Sequence, residues 1–190
     1  KTVCMINHLI RSALLSKLKN PRFAYIAPTF KQAKSIAWDY MKQFTAKIPH
    51  TKFNETELRV DLPNGSRITL LGSESPDGLR GIYLDGCVID EYANVNSKLF
   101  PEIIRPALSD RKGYCVFIGT PMGMNNNFYE LYQHAQGAED WFNYKAKASD
   151  TKIVDEDELV KAKEVMGEKK YQQEFECDWI ANIEGAVYGD

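Results

Sequence analysis

Asp90 and Glu91, two adjacent carboxylates, close the run Cys87-Val88-Ile89-Asp90-Glu91. Such a pair suits nucleotide hydrolysis, in which one carboxylate holds Mg²⁺ and the next orients a water. The plain structural alternative is a solvated acidic turn after a buried strand. Lys1 and Thr2 head an apolar-periodic stretch. A lysine that reaches β- and γ-phosphates and a threonine hydroxyl that serves Mg²⁺ end the motif G-x-x-x-x-G-K-[ST], which runs into such a stretch. Lys1-Thr2 fits the end of that motif, with its glycines upstream. Thr120, in Gly119-Thr120-Pro121, and Arg80, in the Gly-flanked loop Asp77-Gly78-Leu79-Arg80-Gly81, complete the set of candidates. For Thr120 the alternative is a turn with a capping hydroxyl. For Arg80 it is a salt bridge with Asp77 or Asp85.

The elements that would position these residues are legible. Cys87 to Ile89 is small and β-branched, as in a parallel-sheet strand buried on both faces. Ligands sit at the carboxyl ends of such strands, and an acidic pair there is the Walker B pattern. Val3, Ile6, Ile10, Ala13 and Leu14 are spaced as one face of a helix. Phe23 to Ala27 is predicted as a strand ending at Pro28-Thr29, followed by a helix over 31–48 that Pro49 stops. Leu58–Leu62 and Arg67–Leu71, joined by Pro63-Asn64-Gly65-Ser66, predict a hairpin. A polar loop spans 73–81 and a helix 97–108. Tyr114 to Ile118 is predicted as a strand, 127–134 as a helix, and 141–148 as a strand from its alternation. Helices over 156–166 and 169–176 flank Gly167, and 184–190 reads as the beginning of a linker. Alternating strands and helices predict an α/β fold with a parallel sheet and helices on both faces, plus the small antiparallel hairpin. Three strand ends, Pro28-Thr29, Asp90-Glu91 and Gly119-Thr120-Pro121, then fall along one edge.

Composition sets bounds. A chain of 190 residues, 44% hydrophobic, is long enough for one good-sized globular core. A net charge of -2 means that any nucleic-acid contact must use local patches. Cys4, Cys87, Cys115 and Cys177 form no C-x-x-C pair and read as reduced cysteines of a cytosolic protein. His8, His50 and His134 are not spaced as metal ligands. No apolar run is long enough to span a bilayer, and no signal peptide opens the chain.

Taken in order, the segments resemble the ATPase domain of a tailed-phage terminase large subunit, the motor that packages DNA into procapsids. The residues that carry this are Tyr25-Ile26-Ala27-Pro28-Thr29 with Gln32-Ala33-Lys34, Leu79-Arg80-Gly81, Val88-Ile89-Asp90-Glu91-Tyr92-Ala93, Pro106-Ala107-Leu108-Ser109-Asp110-Arg111, Gly119-Thr120-Pro121-Met122-Gly123, Asn127-Phe128-Tyr129-Glu130-Leu131-Tyr132 and Tyr171-Gln172-Gln173-Glu174-Phe175-Glu176-Cys177. They span nearly the whole chain. The resemblance implies a phosphate-binding-loop NTPase fold of the RecA-like kind, with an ATPase domain over 1–183 that includes a lid-like subdomain at 141–183. It implies ATP and Mg²⁺ as cofactors, with Asp90 and Thr2 at the metal and Lys1 on the phosphates. Glu91 would be the catalytic base, and Thr120 the coupling residue that passes hydrolysis to the rest of the motor. Arg80 would be an arginine finger acting on a neighbouring subunit, with Arg105 and Arg111 as backups.

The implied partners are double-stranded DNA, the portal protein, the small terminase subunit and further copies of the chain in a ring, usually of five. The implied location is the host cytoplasm at the portal vertex. A nuclease domain would begin after about Tyr188, so nuclease activity is not expected of this chain. Because the phosphate cradle needs the backbone amides of the glycine loop, a polypeptide beginning at Lys1 would be expected not to turn over ATP. Two other readings compete. A helicase-like ATPase would need a second RecA-like domain that 190 residues cannot hold, and a non-catalytic oligomerisation module would lack the glycine loop upstream of Lys1. The mix of Lys42, Lys47, His50 and Lys52 reads as a solvated helix face rather than a DNA contact.

Overall fold

Four strands run parallel, and the central two are buried on both faces because nearly all their residues are apolar. In a computed structural model, which describes residues 1–180, β1 (Arg22–Ala27) lies between β4 (Arg67–Gly72) and β5 (Gly86–Ile89), and β5 lies between β1 and β6 (Tyr114–Phe117). Two short strands, β2 (Lys52–Asn54) and β3 (Arg59–Asp61), extend the β4 side antiparallel, giving the order β2-β3-β4-β1-β5-β6. The predicted hairpin is β3–β4. Its turn closes with Leu62 N donating to Ser66 O at 2.8 Å, and Gly65 takes the positive φ of 85° that such a turn requires.

The register decides where chemistry is possible. Ala27 pairs with Gly72, Ile26 with Ile89, and Ile89 with Phe117. The carboxyl ends of β1, β4, β5 and β6 therefore share one edge, as the sequence predicts for three of them. At the other edge, Gly86 opens β5 against the Tyr114 ring, where a Cβ would approach within 2.4 Å. Glycine is required by that contact.

Helix α1 (Thr2–Leu15) packs on the sheet through Ile6, Leu9, Ile10 and Ala13. Of the expected stripe, Val3 and Leu14 are exposed and Leu9 takes their place, since the i, i+3, i+4, i+7 spacing from Ile6 runs through Leu9, Ile10 and Ala13. The hairpin turn secures the far end of α1: Asn64 Nδ2 and Ser66 Oγ donate to the Ala13 carbonyl at 2.9 and 2.6 Å, satisfying an acceptor that a helix end leaves open. The predicted helix over 31–48 is a continuous helical run of α2 (Phe30–Ala33), a π-helical turn (Lys34–Trp38) and α3 (Asp39–Thr45). The predicted helix over 97–108 begins as a π-helical turn (Leu99–Ile104) and ends as α4 (Arg105–Ser109).

The chain divides into two compact units, Lys1–Ile118 and a second that begins at Gly119. In the second, α5 (Asn127–Ala135) starts at Asn126, whose Oδ1 accepts from Phe128 N at 3.0 Å and Tyr129 N at 3.1 Å. Phe128, Tyr129 and Tyr132 surround Trp179 at centroid distances of 5.3 to 5.4 Å. A short α6 (Ala148–Thr151) precedes α7 (Glu156–Met166) and α8 (Glu168–Phe175), which meet at Gly167 with a Lys163–Glu168 ion pair of 2.7 Å. The strand expected over 141–148 does not form: residues 141–147 have no regular structure. Phe142 and Tyr144, which share one face under strand periodicity, are both exposed, so the alternation here marks no buried face. The linker expected at 184–190 lies outside the described residues.

Candidate active site

Asp90 follows directly on β5, and its amide donates to the Ile26 carbonyl of β1 at 2.8 Å. The ladder thus fixes its backbone one residue past the strand end. Its carboxylate is 2% exposed as a residue, and three neutral donors meet it. Thr2 Oγ1 donates to Oδ2 at 2.8 Å, Tyr25 OH donates to the same oxygen, and the Glu91 amide donates to Oδ1 at 2.8 Å. Burial, and then the hydrogen bond to Asp90, push the Tyr25 phenol well above the ordinary tyrosine range. Tyr25 therefore remains a donor at any physiological pH.

Glu91 adopts φ 48° and ψ 47°. This left-handed conformation costs a non-glycine residue about 1–2 kcal/mol. It turns the chain sharply into the short 3₁₀ turn Tyr92–Asn94. That turn is held by Tyr92 N donating to Ile118 O at 3.1 Å and by the Tyr92 ring against Phe117, with centroids 4.7 Å apart. So held, the Glu91 carboxylate reaches Lys1, whose Nζ lies 2.6 Å from Oε1. Both side chains are partly exposed, so the pair opens to solvent whereas Asp90 does not. The start of α1 and the end of β5 are thereby joined at two points, across 88 and 90 residues of sequence.

A hydroxyl and a carboxylate oxygen 2.8 Å apart are hard ligands of the type Mg²⁺ takes, alongside water and phosphate oxygens. Among the described residues no group of three or more His, Cys, Asp or Glu side chains could hold a metal by itself. The donor set thus fits an ion that arrives with its own oxygen ligands.

Residues 1–189 match the family described as terminase large subunit, T4likevirus-type, N-terminal. The chain belongs to that family. The terminase large subunit of Thermus phage G20c is 30% identical over 126 residues, which cover 56% of this chain and 26% of that protein. The chain thus spans about a quarter of the length of that curated relative. Among solved structures, the large terminase ATPase domain of Thermus phage P74-26 superposes with a TM-score of 0.73 at 22% identity, over 89% of this chain and 80% of that one. The large terminase of a thermophilic bacteriophage, in complex with ADP, gives 0.80 at 16% identity, over 95% of this chain and 46% of that one. These likenesses establish the fold: a mixed α/β terminase ATPase-type domain with a mostly parallel six-stranded sheet. No helix among the described residues is long and apolar enough to cross a membrane.

Of the residues proposed from sequence for this terminase chain, Lys1, Thr2, Asp90 and Glu91 come together. Arg80 is elsewhere engaged: its Nε donates to Asp77 Oδ1 at 2.8 Å, and its Nη2 lies 3.6 Å from Glu102 Oε2. The hydrogen bond and charge of Asp77 raise its affinity for its proton. Asp85, the other partner considered for Arg80, pairs instead with Arg111 at 2.5 Å. Arg105 donates to Ser109 Oγ at 3.0 Å. Thr120 is the second residue of the second unit, three residues beyond the end of β6. The Thr29 hydroxyl accepts from Gln32 N at 3.1 Å and so caps α2. Lys42 pairs with Glu55 at 3.3 Å and lies over the Trp38 ring. The residue that sequence reasoning missed is Tyr25. Its signal was a phenol in the middle of a strand apolar on both faces, which needs a buried acceptor.

Proposed function

We propose that this chain is the ATP-hydrolysing motor domain of a terminase, driving double-stranded viral DNA into a procapsid. The observation that carries the reading is the double junction of Thr2 with Asp90 and Lys1 with Glu91. It brings a lysine, a hydroxyl-carboxylate pair and a second carboxylate to one sheet edge, which supports this reading, in a fold shared with the ADP-bound terminase of the thermophilic phage.

The chemistry follows from the geometry. When ATP binds, Lys1 exchanges Glu91 for the β- and γ-phosphates, which frees the carboxylate. Asp90 and Thr2 would hold Mg²⁺, directly or through water, and the ion would neutralise charge on the phosphates. Glu91, aimed by its left-handed backbone, orients a water in line with the γ-phosphorus and accepts its proton. The new P–O bond forms as the bond to the β-γ bridging oxygen breaks, and ADP leaves with that electron pair. Thr120, just past β6, serves as the coupling residue, and 141–183 as a lid-like subdomain. Arg80 completes the site of a neighbouring copy. The working species is a ring, with five copies as the proposed number, docked on the portal protein in the host cytoplasm and fed by the small terminase subunit.

The test uses the intact protein that carries this chain. Lys1→Ala is expected to lose Mg²⁺·ATP binding in a fluorescent-nucleotide titration, along with DNA-stimulated phosphate release; binding at the parental affinity would overturn the reading. Rings mixed from Arg80→Ala and Glu91→Gln subunits are expected to regain turnover, because a finger acts across an interface. Mixed rings as inactive as either parent would reduce Arg80 to a loop salt bridge.

A further inference from the structure

Arg80 is exposed and yet occupied. Its side chain is 55% exposed, but two carboxylates from separate elements face its guanidinium. Asp77 belongs to the 3₁₀ turn Pro76–Leu79 of the same loop, and Glu102 to the π-helical turn Leu99–Ile104. With Lys98 they line a cavity of about 330 Å³. Gly81, directly after Arg80, has φ +84° and open space around the position of a Cβ, and a Cβ at Gly78 would also meet nothing within 4 Å. The glycines therefore serve the backbone path of the loop rather than close packing against a neighbour.

We infer that Asp77 and Glu102 are positioning residues that hold Arg80 in a stand-by place on its own subunit until the triphosphate of a neighbouring copy draws it out. This rests on the reading of Arg80 as a finger. Exposed ion pairs are individually weak and screened, so two of them restrain a guanidinium without locking it. A polyphosphate offers more negative charge and bidentate acceptors that suit the guanidinium fork, so it outcompetes the carboxylates once it is within reach. The loop glycines let the backbone follow. Such a clamp lowers the chance that an unassembled or misaligned subunit presents its finger.

The experiment measures ATP turnover per subunit of the intact protein against protein concentration. In Asp77→Asn/Glu102→Gln the concentration for half-maximal turnover is expected to fall about 3- to 10-fold, as the loss of two weak restraints implies, with the plateau rate and the KM for ATP little changed. Asp77→Glu is expected to restore parental behaviour, and in an Arg80→Ala background the double change is expected not to shift the concentration for half-maximal ring assembly, followed by sedimentation. An unchanged concentration dependence, with Arg80→Ala inactive, would overturn the clamp and leave the finger standing. A shift that persists without Arg80 would overturn the clamp in favour of a loop-stability effect. Parental turnover in Arg80→Ala would overturn the finger reading and the clamp together.

Discussion

Strand β5 is bracketed by two buried aspartates whose charges are met in opposite ways. Asp85, just before the strand, has a side chain 3% exposed and carries a guanidinium partner, Arg111 Nε at 2.5 Å, while its other oxygen accepts from Arg22 N at 2.7 Å. Arg111 is itself tied to the Lys19 carbonyl and lies over the Tyr83 ring. Every part of that cluster has a partner, and it joins the α1–β1 turn, β1, β5 and the turn before β6. Asp90, just after the strand, is equally buried, but among the described residues it is met by two hydroxyls and one amide, with no ammonium or guanidinium at salt-bridge distance. A buried carboxylate is costly without a cation. At the amino edge the chain itself supplies the cation, whereas at the carboxyl edge neutral donors hold the anion, and under the proposed function a cation from solution would complete the site. The strained backbone of Glu91 lies at the same carboxyl edge, as the proposed function would have it.

The sharpest way to test the contrast is through rates. Glu91→Gln keeps the shape of the turn and removes the base proposed for it. It is expected to lower phosphate release of the intact protein about 10²–10⁴-fold, while a fluorescent-nucleotide titration shows binding retained. Normal release would place the working base elsewhere and leave the carboxyl edge as structural as the amino edge.

Stability gives the next largest effect. Asp85→Ala strands Arg111 and is expected to cost about 3–5 kcal/mol in urea unfolding, as for a broken buried pair. Asp90→Asn is expected to stay within about 1 kcal/mol, because relief of a buried charge offsets a weakened hydrogen bond, yet to lose Mg²⁺-dependent turnover. Equal destabilisation by both would break the comparison. Tyr25→Phe comes between them. It removes one of three donors to Asp90 and is expected to cost about 1–3 kcal/mol, with a smaller loss of turnover than Glu91→Gln. A neutral Tyr25→Phe would mean that Thr2 and the Glu91 amide hold Asp90 unaided.

Much of this edge was readable beforehand, for identifiable reasons. Apolar runs such as Phe23–Ala27 and Cys87–Ile89 mark strands buried on both faces, and parallel strands align their carboxyl ends, so Thr29 and Asp90-Glu91 share an edge by topology alone, and Lys1-Thr2 was assigned to it from the motif that precedes such a helix. The amino edge was not readable. Asp85 and Arg111 are 26 residues apart, and no local pattern says that one will face the other rather than Arg80. The π-helical turns at Lys34–Trp38 and Leu99–Ile104 shift the hydrogen-bond register by one residue, a change smaller than side-chain periodicity resolves. Tyr25 was hidden because aromatic residues favour strands for packing alone. Trp141 to Ala148 misled because alternation signals a strand only where one face is buried and a ladder partner exists.

A third aspartate separates pairing from burial. Asp61, in β3, is held between Arg67 Nε at 2.7 Å and Arg59 Nε at 3.1 Å, but its side chain is 31% exposed. Burial by itself would raise its pKa; the hydrogen bond and charge of Arg67, followed by the charge of Arg59, outweigh it and leave the carboxyl below the usual aspartate range. A carboxyl depressed in the folded state contributes stability that is present above its unfolded value of about 3.9 and is lost as pH falls through the lower folded value. Asp61→Asn is therefore expected to flatten the acid limb of a stability-pH profile below about pH 4. At neutral pH it is expected to cost no more than about 1 kcal/mol, since solvent screens the pairs, and that cost should shrink further in high salt. Urea unfolding of Asp61→Asn beside Asp85→Ala, at low and high salt, makes the measurement. A loss at Asp61 as large and as salt-insensitive as that at Asp85 would show that pairing alone sets the cost. Burial would then no longer explain why the two ends of β5 behave differently.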